Sequence, residues 1–481
     1  MQFPIWGDEG LVLIDVLDCD YYALTQTLPI FQIAPILFLW AERAVLQLVG
    51  SSELAVRLPA FLAGLGGLLM VAWTARRFLS PVHGALTIAL LAVSYWPVRH
   101  SCEVKPYALD LLASAGLFLG ALTWLHQPAR KGWLLFLALW TPVALLASYP
   151  AAFVAGGMSL AMLPRAWRAS SGTRGRYALF NLLMVLAFAG HYVFVTRNQI
   201  DTPQLSANRA FMQDYWHDSF PPASLRELPL WLLGAHTGGL FAYPFGGTHF
   251  DSTGMFALAL LGCWHLWKRG QRSLLLVCVC PFALNFLAAV LHKYPYGSSP
   301  RVLQHLAPMA CVLIAAGAAC VVERLRAAAT PSVCVVGLAL IGFGVAGLVR
   351  DVCKPYKSEH EMVVRQRIAE FEARVGPDEP VLLCNQLGEV PIVATWYLRR
   401  DQTDVAWASA PPIPLPEAPG VWLLRFTLDI QSIPSEADVL ALLGERGRVW
   451  SPSEFRQVPL PPSSPGDPGY WLTMVRVARP R

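Results

Sequence analysis

A mainly α, polytopic transmembrane bundle of about ten spans, carrying a small C-terminal α/β domain on its outer side, is the fold class that three observations predict. First, only 14% of the 481 residues are Asp, Glu, Lys or Arg, 55% are hydrophobic and the mean hydropathy is +0.45. A soluble domain carries roughly 25% charged residues and needs polar surface to cover its core. Second, apolar runs close to the ~20 residues that cross a bilayer recur from residue 58 onward. Third, these runs stop near residue 351, where short alternating stretches between Pro-rich breaks take over. An ordinary cytosolic enzyme, a disordered tail protein and a collagen-like chain are excluded. The net charge of +5 comes from Arg clusters between apolar runs, which is membrane topology rather than a nucleic-acid signal, so no nucleic-acid partner is expected.

The predicted spans are 58–75, 82–98, 107–125, 132–149, 151–163, 177–196, 254–268, 273–292, 302–321 and 332–349. Loops at 76–78, 129–131, 164–176, 268–272 and 323–326 are basic. They fall at every second position, so they stay inside and the loops at 98–106, 197–252 and 293–301 face outward. The same alternation decides residues 29–49, which are apolar enough to span. A span there would put Arg76 and Arg77 outside and hold Glu42-Arg43 near the bilayer centre, at several kcal/mol. They are therefore expected to form an interfacial amphipathic helix on the outer face. Met1 then starts outside, and a first transmembrane helix is expected to be missing before it. Residues 1–54 form a first outer loop, 55–350 the helical membrane domain and 351–481 the outer α/β domain. In the last, 379–387, 420–428 and 470–478 read as strands, 357–375 as an amphipathic helix, and 410–419 and 458–468 as turns and linkers.

Three outward segments concentrate chemistry-bearing residues. In FPIWGDEG at 3–10, Asp8 and Glu9 sit between Trp6 and Gly10, where an acidic pair beside an apolar wall can supply a general base; a solvated loop is the competing reading. In RHSCEVKPYALD at 99–110, Arg99, Glu103 and Lys105 crowd a mouth between two spans and precede Tyr107. A cation there can meet a phosphate and Tyr can hold the interface, although Lys and Tyr also snorkel at helix ends. Asp110 reads as a cap or a partner to a cation. In LHKYPYGSSPRVLQHLAP at 291–308, Lys293, Tyr294, Tyr296 and Arg301 share one loop that can wrap a lipid-linked phosphate or merely hold the membrane surface. Arg57 reads as a span-end anchor. Gly238-Gly239 and Gly246-Gly247 flank FAYPF and suggest a flexible lid or an ordinary loop. His191, His236, His249 and His305 lack ligand spacing, so no metal is expected. Cys278 and Cys280 read as packing residues, and the spacing of Cys19, Cys102, Cys353 and Cys384 gives no pairing.

Taken in order, these features resemble a GT-C type polytopic membrane glycosyltransferase, in the branch of the protein O-mannosyltransferases and the bacterial lipid A aminoarabinose transferases (glycosyltransferase family 39-like). The acidic pair Asp8-Glu9 comes first. A G-x-x-E-x-x-x-R-x-P run at Gly50, Glu53, Arg57 and Pro59 follows, then ARRFL at 75–79, SCEVKPYALD at 101–110 and KYPYGSSPR at 293–301. The likeness covers roughly 1–125 and 290–310, and the remainder in layout. Where the family often has His-Pro-Pro-Leu, this chain reads Gln32-Ile33-Ala34-Pro35.

The resemblance implies a sugar donor on a polyprenyl phosphate, a hydroxyl acceptor on a protein, lipid or glycan, and membrane lipids as surroundings. It places the enzyme in a bacterial inner (plasma) membrane with its active face extracytoplasmic. Asp8 would be the base for the acceptor hydroxyl. Lys105 and Arg301, with Lys293 in reserve, would hold the leaving phosphate. Tyr107 and Tyr294 would position the headgroup, and Glu9 and Glu103 would orient these groups or the acceptor. No cofactor is implied beyond the lipid-linked donor, which is substrate. The expectation is that the acidic pair and both cationic mouths converge on one outer pocket. A lipid-carrier flippase or transporter is the alternative, disfavoured by nearly charge-free spans. A non-catalytic scaffold of the same fold is the third reading.

Overall fold

The computed structural model describes residues 3–30, 32–130, 132–200, 215–248, 250–326, 342, 345–347, 349–350, 353, 359–376, 379–383, 389–401, 405–407, 420–427, 435–441, 451–460 and 470–478. The chain divides into two compact units. One gathers residues 1–18, 49–55 and 351–481; the other comprises 19–48 and 56–350. Residues 1–54, one outer segment in the sequence, thus contribute to both.

Chain order begins in the first unit with α1 (Gly7–Asp18), whose apolar positions Val12, Leu13, Ile14 and Val16 are buried. The helical unit starts with a 3-10 turn at Ala23–Thr25 and α2 (Ile36–Leu48), a 13-residue helix opened by Pro35. At this length α2 does not reach across a bilayer, in line with the interfacial expectation for 29–49. Next come α3 (Leu58–Phe78), α4 (Pro81–Val93), α5 (Tyr95–His100), α6 (Tyr107–His126), α7 (Gly132–Ala147), α8 (Ala151–Trp167), α9 (Ser171–His191) and α10 (Arg197–Ile200). The unit continues with α11 (Leu228–Thr237), α12 (Thr253–Lys268), α13 (Arg272–Val290) and α14 (Ala307–Arg326). Every predicted run from 58–75 to 302–321 is largely helical. The run 82–98 breaks at Ser94, whose extended backbone ends α4 and starts α5. The run 332–349 lies almost wholly outside the described residues.

Among the described residues, 5 helices are long and apolar enough to cross a membrane: Ala55–Phe78, Tyr107–His126, Ser171–Ile200, Arg272–Val290 and Pro300–Arg324. Pro81–Val93 and Gly132–Ala147 are shorter apolar helices. Length thus separates the predicted spans, and α7 and α8 are kept short by the Ser148-Tyr149-Pro150 corner between them. The chain is an integral membrane protein. Two helices form the core of the unit. α6 is buried from Ala108 to Leu125 except at Leu112, and α14 is buried along most of its length. Small residues permit the approach of their neighbours. A Cβ on Gly116 of α6 would lie 2.3 Å from the Trp140 indole, and one on Gly317 of α14 would lie 1.9 Å from the Leu258 carbonyl of α12. α9 is the opposite case, with Leu182, Val185, Leu186 and Phe188 exposed, as lipid-facing positions should be.

The first unit is completed by α15 (Glu359–Glu372), β1 (Val381–Leu383), α16 (Glu389–Asp401), β2 (Val405–Trp407), β3 (Gly420–Thr427), α17 (Glu436–Ala441), β4 (Ser451–Leu460) and β5 (Tyr470–Ala478). The sheet order is β2-β1-β3-β5-β4. β1 is parallel to β2 and β3, while β5 is antiparallel to β3 and β4. The three predicted strands and the predicted helix are present. The segment 458–468 was expected to be linker, yet β4 runs into it as far as Leu460. β4 is an edge strand with a register shift between Pro452 and Glu454, and an edge tolerates Pro459 where a central strand would not. The segment 410–419 lies outside the described residues. Glu379 knots the sheet: its carboxylate accepts the Trp422 indole at 2.9 Å, the Arg476 Nε at 3.0 Å and the Gly376 amide at 3.4 Å.

Candidate functional site

The acidic pair belongs to the first unit and lies in the first turn of α1 rather than in an open loop. Asp8 is half-buried and Glu9 buried. Glu9 Oε2 accepts the Trp6 amide at 3.3 Å, a bond across the helix start. The free amides of a first turn favour carboxylates, so Gly7-Asp8-Glu9 is a natural helix opening. α1 lies on α16 closely enough that a Cβ on Gly10 would come 2.8 Å from Ile392 Cγ2.

The cationic mouths belong to the helical unit, and there they are neighbours. Ser94 redirects the chain into the short α5, and the turn after it places Arg99, His100, Glu103 and Lys105 together. Glu103, which is 3% exposed, accepts Arg99 Nε at 2.9 Å and His100 Nδ1 at 3.0 Å. Burial holds the His100 pKa below its ordinary 6.5, against the opposing pull of Glu103. The ring is therefore neutral near pH 7, and Nδ1–H is the donor to Glu103. Arg301 stands close enough to act on the same ring, lowering its pKa further. Arg301 itself lies over Trp216 and Tyr215, at 5.2 Å and 5.8 Å from the ring centres.

The aromatic residues continue the path. The His100 ring stacks on Trp96 at 5.7 Å and meets Tyr107 at 4.8 Å. Tyr294 senses the charges of Asp110 and Tyr107 and donates its hydroxyl to the Val302 carbonyl at 2.8 Å. Burial first, then those two neighbours, push its pKa well above the ordinary tyrosine value. Asp110 is a hydrogen-bond partner of Ser148, not a helix cap facing water. Of the predicted residues in this unit, Glu103, Lys105, Tyr107, Tyr294 and Arg301 thus belong to one neighbourhood, whereas Lys293 is exposed. Arg57 is 7% exposed, more deeply set than a snorkelling anchor.

Lys105 Nζ donates to Gln32 Oε1 at 3.5 Å, which brings in the segment before α2. That segment is pinned from behind. Gln199 Oε1 accepts the Ala34 amide at 3.3 Å and the Tyr149 hydroxyl at 3.2 Å, and Gln199 Nε2 donates to the Leu24 carbonyl at 3.4 Å. Tyr149 stacks on His191 at 5.2 Å. Asn198 Nδ2 adds a bond to the Thr25 carbonyl at 3.2 Å. Sequence reasoning missed Gln32, His100, Tyr149 and Gln199 as members of this neighbourhood. The Arg99-His100-x-x-Glu103 spacing on a helical turn signalled His100. Nothing local signals Gln199, whose partners are 50 to 175 residues away.

Of the two readings of the glycines beside FAYPF, a lid or an ordinary loop, their close contacts fit the loop. Gly246 and Gly247 have φ of 114° and 125°. A Cβ on Gly247 would lie 3.0 Å from Pro300 Cγ and 3.3 Å from the Trp96 indole. Trp96 Nε1 also donates to the Gly246 carbonyl at 3.1 Å, so this loop braces α5. His305 Nε2 pairs with Asn285 Oδ1 at 3.1 Å, His191 Nδ1 with the Leu145 carbonyl at 2.9 Å, and His236 Nδ1 with the Leu232 carbonyl at 2.7 Å. His249 lies outside the described residues. Among the described residues no group of three or more His, Cys, Asp or Glu is placed to hold a metal ion.

Residues 34–194 match the family of dolichyl-phosphate-mannose-protein mannosyltransferases. The fold is similar to that of ArnT from Cupriavidus metallidurans bound to undecaprenyl phosphate, with TM-score 0.56 and 14% identity over 99% of this chain and 94% of that one. The apo state of the same protein gives 0.53 and 14% over the same shares. No curated protein sequence matches the chain. The family match over residues 34–194 and the ArnT-like fold together indicate a glycosyltransferase of the GT-C type. Within that class the chain is similar to the mannosyltransferase family over residues 34–194 and to ArnT in fold.

Proposed function

We propose that the protein transfers a monosaccharide from a polyprenyl-phosphate carrier to a hydroxyl acceptor, on the extracytoplasmic face of a bacterial inner membrane. The observation that carries this reading is the grouping of Lys105, Glu103 and Tyr107 with Arg301 and Tyr294 in one neighbourhood of the helical unit. The bound undecaprenyl phosphate of ArnT supports the class of carrier.

The chemistry assigned to these residues is a displacement at the anomeric carbon. Asp8 takes the proton of the acceptor hydroxyl as its oxygen bonds to the sugar carbon. The bond from that carbon to the phosphate oxygen breaks, and the electron pair leaves with the polyprenyl phosphate. Lys105 and Arg301 stabilise the negative charge that develops there, with Lys293 as an outer contact. Tyr107 and Tyr294 flank the headgroup. Glu9 orients Asp8 or the acceptor. Glu103 fixes Arg99 and His100 and orients the phosphate ligands or the acceptor.

The test uses the full-length protein in proteoliposomes with a panel of radiolabelled undecaprenyl-phosphate monosaccharides. Wild type should release undecaprenyl phosphate together with a glycosylated acceptor. Lys105→Ala and Arg301→Ala should each weaken undecaprenyl-phosphate binding at least tenfold. Binding unchanged in both variants would refute the assignment of the cations. Movement of the labelled lipid between leaflets without any glycosylated product would refute the transferase.

A further inference from the structure

The G-x-x-E-x-x-x-R-x-P run contains a carboxylate, Glu53, that the proposed chemistry does not use. It lies in the first unit at 6% exposure. The Tyr397 hydroxyl of α16, also buried, donates to Glu53 Oε1 at 2.7 Å and accepts the Ile5 amide at 2.8 Å. Arg365 Nη1 of α15 stands 3.2 Å from Glu53 Oε2. One hydroxyl therefore joins three remote pieces of chain: the strand of residues leading to Asp8, the run ending in α3, and the C-terminal α/β domain. Burial, reinforced by the negative charge of Glu53, raises the Tyr397 pKa, so the hydroxyl keeps its proton to donate. Two further contacts act along the same helix. Gly10 lies against Ile392, and Asp18 pairs with Arg399.

We infer that Tyr397 and Glu53 are positioning residues: the C-terminal domain holds the acidic segment through them and so sets where the Asp8 carboxylate stands. This rests on Asp8 being the base. The inference assigns 351–481 a part in turnover. Ile5 is three residues ahead of Asp8, and α1 begins between them at Gly7. A bond at Ile5 thus fixes the direction from which α1 starts. A base displaced by about 1 Å loses a large factor in rate without any change in donor affinity.

The experiment compares Tyr397→Phe, Glu53→Ala, Glu53→Gln and Asp8→Asn in the full-length protein. It reads kcat and donor KM on the undecaprenyl-phosphate panel and hydrogen exchange in the peptide containing Ile5. Tyr397→Phe removes both bonds and keeps the ring. We expect its kcat to fall at least tenfold with donor KM within twofold of wild type, and exchange at the Ile5 amide to rise at least tenfold. Glu53→Ala should do the same. Glu53→Gln, which keeps an acceptor for the Tyr397 hydroxyl, should stay within threefold of wild type. Unchanged exchange at Ile5 overturns the inference, as does wild-type kcat in Tyr397→Phe while Asp8→Asn is inactive. Donor KM rising in step with the fall in kcat would mark a merely structural tyrosine and also overturn it. Full turnover by Asp8→Asn would instead remove the base assignment itself.

Discussion

Lys105 meets Gln32 in the helical unit, its Nζ donating to the amide oxygen at 3.5 Å. The pairing links the turn after α5 to the segment before α2. The amide oxygen is a neutral acceptor, so it orients the ammonium without adding a negative charge beside it. Gln32→Glu should therefore weaken undecaprenyl-phosphate binding about tenfold, ~1.4 kcal/mol, because the new carboxylate competes for Lys105. Gln32→Ala should change it by less than about threefold. Titration of both variants in detergent or nanodiscs measures this.

His100 makes the mouth sensitive to acid. Its folded-state pKa lies below the unfolded value of 6.5, chiefly through burial. Its contribution to stability is thus fully present above about pH 6.5 and is lost as pH falls through the folded pKa. Thermal unfolding of the full-length protein should show Tm falling on the acid side of that window. His100→Asn should flatten this slope while leaving Tm at higher pH lower than wild type, since the stacking on Trp96 and Tyr107 is lost.

Glu379 gives a second, separate acid dependence in the α/β domain. The Arg476 hydrogen bonds, ahead of those from Trp422 and Gly376, hold its pKa below the ordinary 4.5. The stabilisation is present above about pH 4.5 and disappears as pH falls through the folded value. Glu379→Ala should cost about 2 kcal/mol at neutral pH, because it leaves Trp422 Nε1 and the Arg476 guanidinium without their shared acceptor. Protease protection of the C-terminal domain in the full-length protein measures the loss.

Gly247→Ala should destabilise the helical unit by about 1–3 kcal/mol. The residue combines a φ of 125° with contacts to Pro300 and Trp96, at 3.0 Å and 3.3 Å from an added carbon, that a methyl group would crowd. Gly254→Ala, where nothing lies within 4 Å of the added carbon, should be near neutral. A drop in Tm confined to the first variant would support bracing of α5 by this loop, and equal Tm values would refute it.

The helices were legible because a bilayer imposes length and hydropathy on consecutive residues, so α3, α6 and α14 announce themselves locally. Where the chain turns within a run, as at Ser94, hydropathy continues and only the extended backbone shows the break. The cations of the mouths were legible because charge stands out against apolar flanks. That the Lys105 loop and the Arg301 loop are neighbours follows from α5 and the 300–306 turn packing in the same place, a long-range fact. Gln199 and Tyr149 were illegible for the same reason: an amide and a phenol have no local signature when their partners are segments away. Pro459 obscured β4, since a proline argues against a strand unless the strand is known to be at an edge.

The central claim, that a carboxylate at the start of α1 is the base of a lipid-dependent sugar transfer, is tested most directly by the turnover of Asp8→Asn. The measurement uses full-length protein in proteoliposomes supplied with undecaprenyl-phosphate monosaccharides. The account predicts a fall in kcat of at least about 10²-fold, with undecaprenyl-phosphate binding and Tm unchanged. Transfer by Asp8→Asn at the wild-type rate would contradict it.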